Sequence, residues 1–154
     1  MKDEGRKQGI AMKKVVSVLM VMLLFSCNRI QNGSSLSTHD IEYIKSLNLL
    51  DKGERIYKFY SNYTKRNSGN FFTDKRMAEY WIDDFHKERT ETAFAFYPDI
   101  KSVDTVYFAG STYCPYMLVS KKDNSTFKVY VEGSREQIKS FFEDALTQWE
   151  LHRR

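Results

Sequence analysis

From Arg55 to Glu132 the apolar residues fall in short extended segments with a period of two, and at Ser134 the period changes to that of a helix. That switch restricts the chain to a β-rich fold closed by a single C-terminal helix. The extended segments are Arg55–Tyr63, Asn70–Thr73, Arg76–Ile82, Glu91–Tyr97, Ser102–Phe108, Tyr116–Ser120 and Thr126–Glu132. Polar turns separate them, at Lys65–Gly69, Asp74–Lys75, Asp83–Glu88, Pro98–Asp99, Gly110–Ser111 and Lys121–Ser125. Tyr57, Phe59 and Tyr63 share one parity, and Phe127, Val129 and Val131 share another that faces inward. About seven strands at this spacing fit a small antiparallel sandwich or barrel. The aromatic content of 15% in 154 residues suits one compact aromatic core, and 42% hydrophobic residues exclude a disordered chain.

The closing helix has its own start signal. Ser134 and Gln137 stand at capping-box spacing. Ile138, Phe141, Phe142, Ala145, Leu146 and Trp149 then form a stripe at i, i+3, i+4, i+7, i+8 and i+11. A stripe that wide is expected to plug one opening of the barrel. A shorter helix is predicted over residues 37–50. Ser37 and Asp40 form its capping box, Leu36 and Ile41 its staple, and Gly53 follows as the breaker.

The amino-terminal segment reads as an address. Residues 1–26 carry five basic and two acidic side chains, so the remainder of the chain is nearly neutral and no basic nucleic-acid surface is expected. Lys13 and Lys14 precede an apolar run, Val15 to Phe25, of 11 residues. That run is too short to span a bilayer and has the length of a signal-peptide core. Met12-Lys13-Lys14 has the form of a signal-peptide start, which leaves residues 1–11 as an extended leader or as sequence upstream of the true start. Leu24-Phe25-Ser26-Cys27 resembles a bacterial lipobox, in which cleavage precedes a cysteine whose thiol carries diacylglycerol. The expectation is a signal peptide over 1–26, a lipidated Cys27 with a polar tether over 27–35, and one domain over 36–154. No acidic run follows Cys27, so the expected location is the cell envelope, facing the periplasm.

Chemical motifs are sparse. No Gly-rich phosphate loop, paired-histidine metal motif, CxxC or Gly-x-Ser-x-Gly occurs. Cys114 is the one cysteine outside the leader and lipobox, and it is read as structural because no histidine among His39, His86 and His152 is placed to activate it. Asp83-Asp84 beside His86 has the residue types of a metal site, but a solvated loop explains it better. The Asn62-Tyr-Thr64 and Asn124-Ser-Thr126 sequons carry little meaning in a bacterial lipoprotein, and a plain strand accounts equally well for Asp104-Thr-Val106, which resembles an O-glycosylation motif.

Seven strands followed by one amphipathic helix is the order of the pleckstrin-homology superfold. The phrase Phe72-Thr-Asp-Lys-Arg76 leading into Tyr80-Trp81, and Tyr97-Pro-Asp-Ile100 at the next bend, also resemble bacterial PH-like and GRAM-like domains. The resemblance spans about residues 54–150. It implies a PH-like barrel and favours a non-catalytic, membrane-tethered binding module; a small envelope hydrolase or metal-dependent enzyme is the alternative. The sparse motifs give no cofactor or metal to expect, and the apolar periodicities, all within residues 36–154, give a monomer. The resemblance also implies that three loops open together. These carry Lys65 and Arg66, Lys87 and Arg89, and Lys121 and Lys122, a rim suited to an anionic lipid, a polysaccharide or an acidic envelope protein. Asp83, Asp84, Glu88 and Asp123 lie in the same loops and oppose that field.

Overall fold

In the computed structural model, the structure describes residues 30–110 and 114–154. Cys27 and the segment before it lie outside the described residues, as does Tyr113 beside Cys114. The described chain is mainly antiparallel β, in two sheets with a C-terminal helix. Strands β1 (Ile30–Asn32), β2 (Ile56–Tyr60), β3 (Ser68–Thr73), β4 (Arg76–Trp81) and β5 (Glu91–Phe96) form one sheet in that order. Strands β6 (Ile100–Val106), β7 (Tyr116–Lys121) and β8 (Thr126–Tyr130) form the other. Helix α1 spans Thr38–Ser46 and helix α2 spans Arg135–His152. Among the described residues no helix is long and apolar enough to cross a membrane.

The five-stranded sheet is a middle layer. On one face Leu36, Ile44, Leu49 and Leu50 cover Phe59, Phe71, Ala78 and Tyr80. On the other face Tyr60, Phe72 and Met77 meet the second sheet and α2, through Val119, Val129, Phe141 and Trp149 among others. Consecutive Phe71 and Phe72 therefore enter opposite cores, and every residue of β3 is buried. A strand covered on both faces shows no polar alternation.

Both capping boxes form. The Ser37 hydroxyl accepts from the Asp40 amide at 3.1 Å, while the Ser37 amide donates to Asp40 at 3.0 Å. Ser134 and Gln137 repeat the pattern. The α2 stripe is buried except for Leu146, which is half-buried.

Four local expectations are corrected. Residues 30–32, read as tether, pair with β2 as a short strand, Ile30 opposite Tyr60 and Asn32 opposite Lys58. Gly33 then passes so close to the Ile56 carbonyl that no Cβ fits, which is why a glycine stands there. Helix α1 ends at Ser46 rather than at 50, because Asn48 turns the chain at φ 58° and sends Leu49 and Leu50 inward. Gly53 (φ 80°) belongs to the following turn. Ser68 and Gly69, expected in a turn, open β3. Finally, a bulge between Ile56 and Lys58 shifts the phase of β2, so Tyr57 and Phe59 face different cores, and Tyr63 is 71% exposed.

Candidate binding site

The six loop cations do not form one ring. Lys65 is bound by Asp40 at 2.8 Å, and the Arg66 guanidinium lies over the Tyr43 ring at 5.6 Å. That turn meets the β4–β5 loop through Asn67, whose side-chain amide donates to the Ile82 carbonyl at 3.1 Å and to Asp84 at 2.9 Å. Lys87 and Arg89 are exposed in that same loop, so four of the six share one region. Lys121 and Lys122 sit in the β7–β8 hairpin. There the Lys122 amide donates to the Asp99 carbonyl at 2.9 Å, beyond the far end of β5. The six residues of β5, roughly 20 Å of extended chain, lie between these points.

The other candidates are engaged locally. Asp83 accepts from the Phe85 and His86 amides, both at 2.9 Å, and these bonds hold its carboxyl below the usual range. His86 Nδ1 stands 3.7 Å from Asp83. Among the described residues no group of three or more His, Cys, Asp or Glu is placed to hold a metal. The Cys114 thiol is 2.6 Å from Glu132 Oε1; burial first, then that carboxylate, pushes its pKa up to about 11. This is the opposite of what a thiolate nucleophile requires. His39 is exposed on α1, and His152 stacks on Tyr97 with ring centroids 5.8 Å apart.

A different feature stands out at the outer strand. β5 closes the five-stranded sheet, and among the described residues it pairs with β4 alone. The Tyr97 amide donates to the Lys75 carbonyl at 3.0 Å, which sets the phase of this pairing. Counting back by two, Ala95, Ala93 and Glu91 direct their backbone groups to β4. Thr92, Phe94 and Phe96 therefore direct theirs outward. They open onto a cleft of about 790 Å³, walled by Leu47 and Leu49 at the end of α1 and by Lys121, Asp123 and Thr126 of the hairpin. The size is that of a ligand-binding cleft.

The wall behind β5 is rigid for a reason missed at the sequence level. Arg76 is 1% exposed. Its Nε donates to Glu54 Oε1 at 2.9 Å and its Nη2 to Glu54 Oε2 at 2.7 Å, with Asp51 Oδ2 2.6 Å away. Thr73 Oγ1 donates to the same Glu54 and accepts from the Arg76 amide at 2.9 Å. The guanidinium packs on Phe94 and Phe96, 4.9 and 4.3 Å from the ring centroids. The side chains of the cleft's edge strand are thus pinned from behind. The available signal was parity: Arg76 shares its face with Ala78 and Tyr80, both core residues.

Comparison with family models, with curated proteins and with solved structures found no match to this chain.

Proposed function

We propose that this chain is a non-catalytic binding module of the bacterial envelope, carried there by a lipid on Cys27 and facing the periplasm. Its barrel is PH-like, a reading supported by the order of a strand-paired sheet, a three-stranded sheet and a closing helix, with β1 as an addition. The ligand is an extended segment of a partner envelope protein, added as a strand along β5. The observation that carries this reading is the outward row of backbone groups at Thr92, Phe94 and Phe96 beside the 790 Å³ cleft. An open strand edge is a template for another chain unless it is covered.

The test uses a photo-crosslinking residue at Ser125 of the full chain, in its own envelope. Ser125 lines the cleft. Thr92→Pro removes an outward N–H and no bond to β4, so it blocks strand addition while leaving the sheet paired. A discrete adduct that disappears in Thr92→Pro supports the proposal. An adduct of equal yield in both proteins refutes it.

A further inference from the structure

We propose that the surface formed by Tyr107, Phe108, Arg135 and Lys139 rests on the bilayer, its aromatic rings at the lipid interface and its cations on anionic headgroups. This rests on the lipid-anchor reading of Cys27. The reach of the chain argues for it. Strand β1 begins at Ile30, so Asn28 and Arg29 are the whole link to Cys27. Three Cα steps reach at most ~11 Å. The tether anticipated over eight residues is thus two, and the domain has no room to stand away from its anchor.

Ile30 fixes which surface comes down. A Cβ built on Gly133 would lie 3.4 Å from Ile30 Cδ1, so the start of β1 runs alongside the approach to α2. Gly133 in turn lines a second cleft, of about 690 Å³, with Tyr107, Phe108, Arg135, Ile138 and Lys139. Phe108 is 82% exposed and Tyr107 46% exposed, with the Tyr107 ring 5.3 Å from that of Phe142 in the core. Tyr107 is therefore held by the core while Phe108 projects. Arg135 and Lys139 lie one helical turn apart. Among the described residues Arg135 makes no salt bridge, and Lys139 meets Glu143 at 3.6 Å in an exposed pair that competes weakly with a headgroup. Aromatic side chains beside lysine and arginine are what a membrane interface takes up. The diacylglycerol on Cys27 supplies two acyl chains and holds the chain at the surface, and a basic aromatic patch at its foot decides which face of the domain comes down.

The experiment places an environment-sensitive fluorophore on the full chain at Phe108→Cys or, as a control, at Leu151→Cys, each combined with Cys114→Ser. Leu151 is 67% exposed near the far end of α2, ~24 Å along the helix from Arg135. The proteins are reconstituted into phosphatidylethanolamine–phosphatidylglycerol vesicles containing a headgroup-proximal quencher lipid, with and without Cys27→Ala. The lipid on Cys27 is read by intact mass. Quenching at 108 at least about threefold stronger than at 151, reduced by Arg135→Glu with Lys139→Glu, is the expected result. Equal quenching at 108 and 151 in a lipidated protein overturns the seat and leaves the anchor standing. Strong quenching at 108 in a protein that retains Cys27 yet carries no lipid keeps the seat and overturns the anchor. In a protein that retains Cys27, no lipid and no quenching overturns both. A blue-shifted label at 108 that the quencher does not reach assigns the patch to a second copy and overturns the proposal.

Discussion

Arg76 and Glu54 form a two-pronged ion pair with both side chains out of water, 1% and 0% exposed, across 22 positions of sequence. Removing one partner strands the other charge. Glu54→Ala is expected to cost about 3–5 kcal/mol in chemical denaturation. Asp51 touches the same guanidinium, but its side chain is half in water, so Asp51→Ala should cost about 1 kcal/mol or less. The apolar double variant Arg76→Met/Glu54→Leu should recover most of the loss. Equal losses for Glu54→Ala and Asp51→Ala would show that the pair is not buried as described.

Trp149 closes the large core from α2, while Leu151, two residues on, faces water. Trp149→Ala should cost about 3–5 kcal/mol, as other large-to-small core changes do. Leu151→Ala should stay within about 0.5 kcal/mol. Denaturation of the two variants side by side checks that the helix docks on this face.

Gly69 lies under the Tyr80 ring, and a Cβ there would also stand 2.7 Å from Phe59. Both rings are buried and cannot withdraw. Gly69→Ala should destabilise by about 1–3 kcal/mol through overpacking. A thermal midpoint unchanged from the parent would contradict this packing.

Glu79 is partly buried on β4, and its pKa is pushed up to about 7, mainly by burial and further by the charge of Glu91. Its ordinary value is 4.5. The folded state therefore favours the protonated acid. The contribution of Glu79 to stability is full below about pH 4.5 and is lost as pH rises through about 7. Partial exposure limits that loss to about 1–2 kcal/mol. Glu79→Gln should flatten the pH dependence between 5 and 8 and raise stability at pH 8. The check is the urea midpoint of both proteins at the two pH values.

What could be read from the sequence depended on whether the signal was local. The α2 stripe was legible because Ser134, Gln137 and the six apolar residues after them act within one helix. Strands β4 to β8 were legible for a similar reason, since each shows its own alternation between turn residues. β1 was not, because Ile30–Asn32 has no pattern of its own and is a strand only through its pairing with Lys58–Tyr60. The bulge at Tyr57 hid the facing of β2, as one extra residue reverses every parity after it. The cation rim was assembled from loops by analogy, and Lys122 follows Asp99 instead. The cleft left no mark in the sequence. Thr92, Phe94 and Phe96 alternate like any half-buried strand, and which strand ends a sheet is decided by long-range pairing.

The account depends on the outer edge of β5 being open in the free protein, and amide hydrogen exchange of the purified chain reads this residue by residue. The N–H groups of Thr92, Phe94 and Phe96 should exchange at least ~10²-fold faster than those of Ala93 and Ala95, which bond to β4. Equal protection at all five positions would mean that the chain already covers its own edge, and would contradict the proposed binding site.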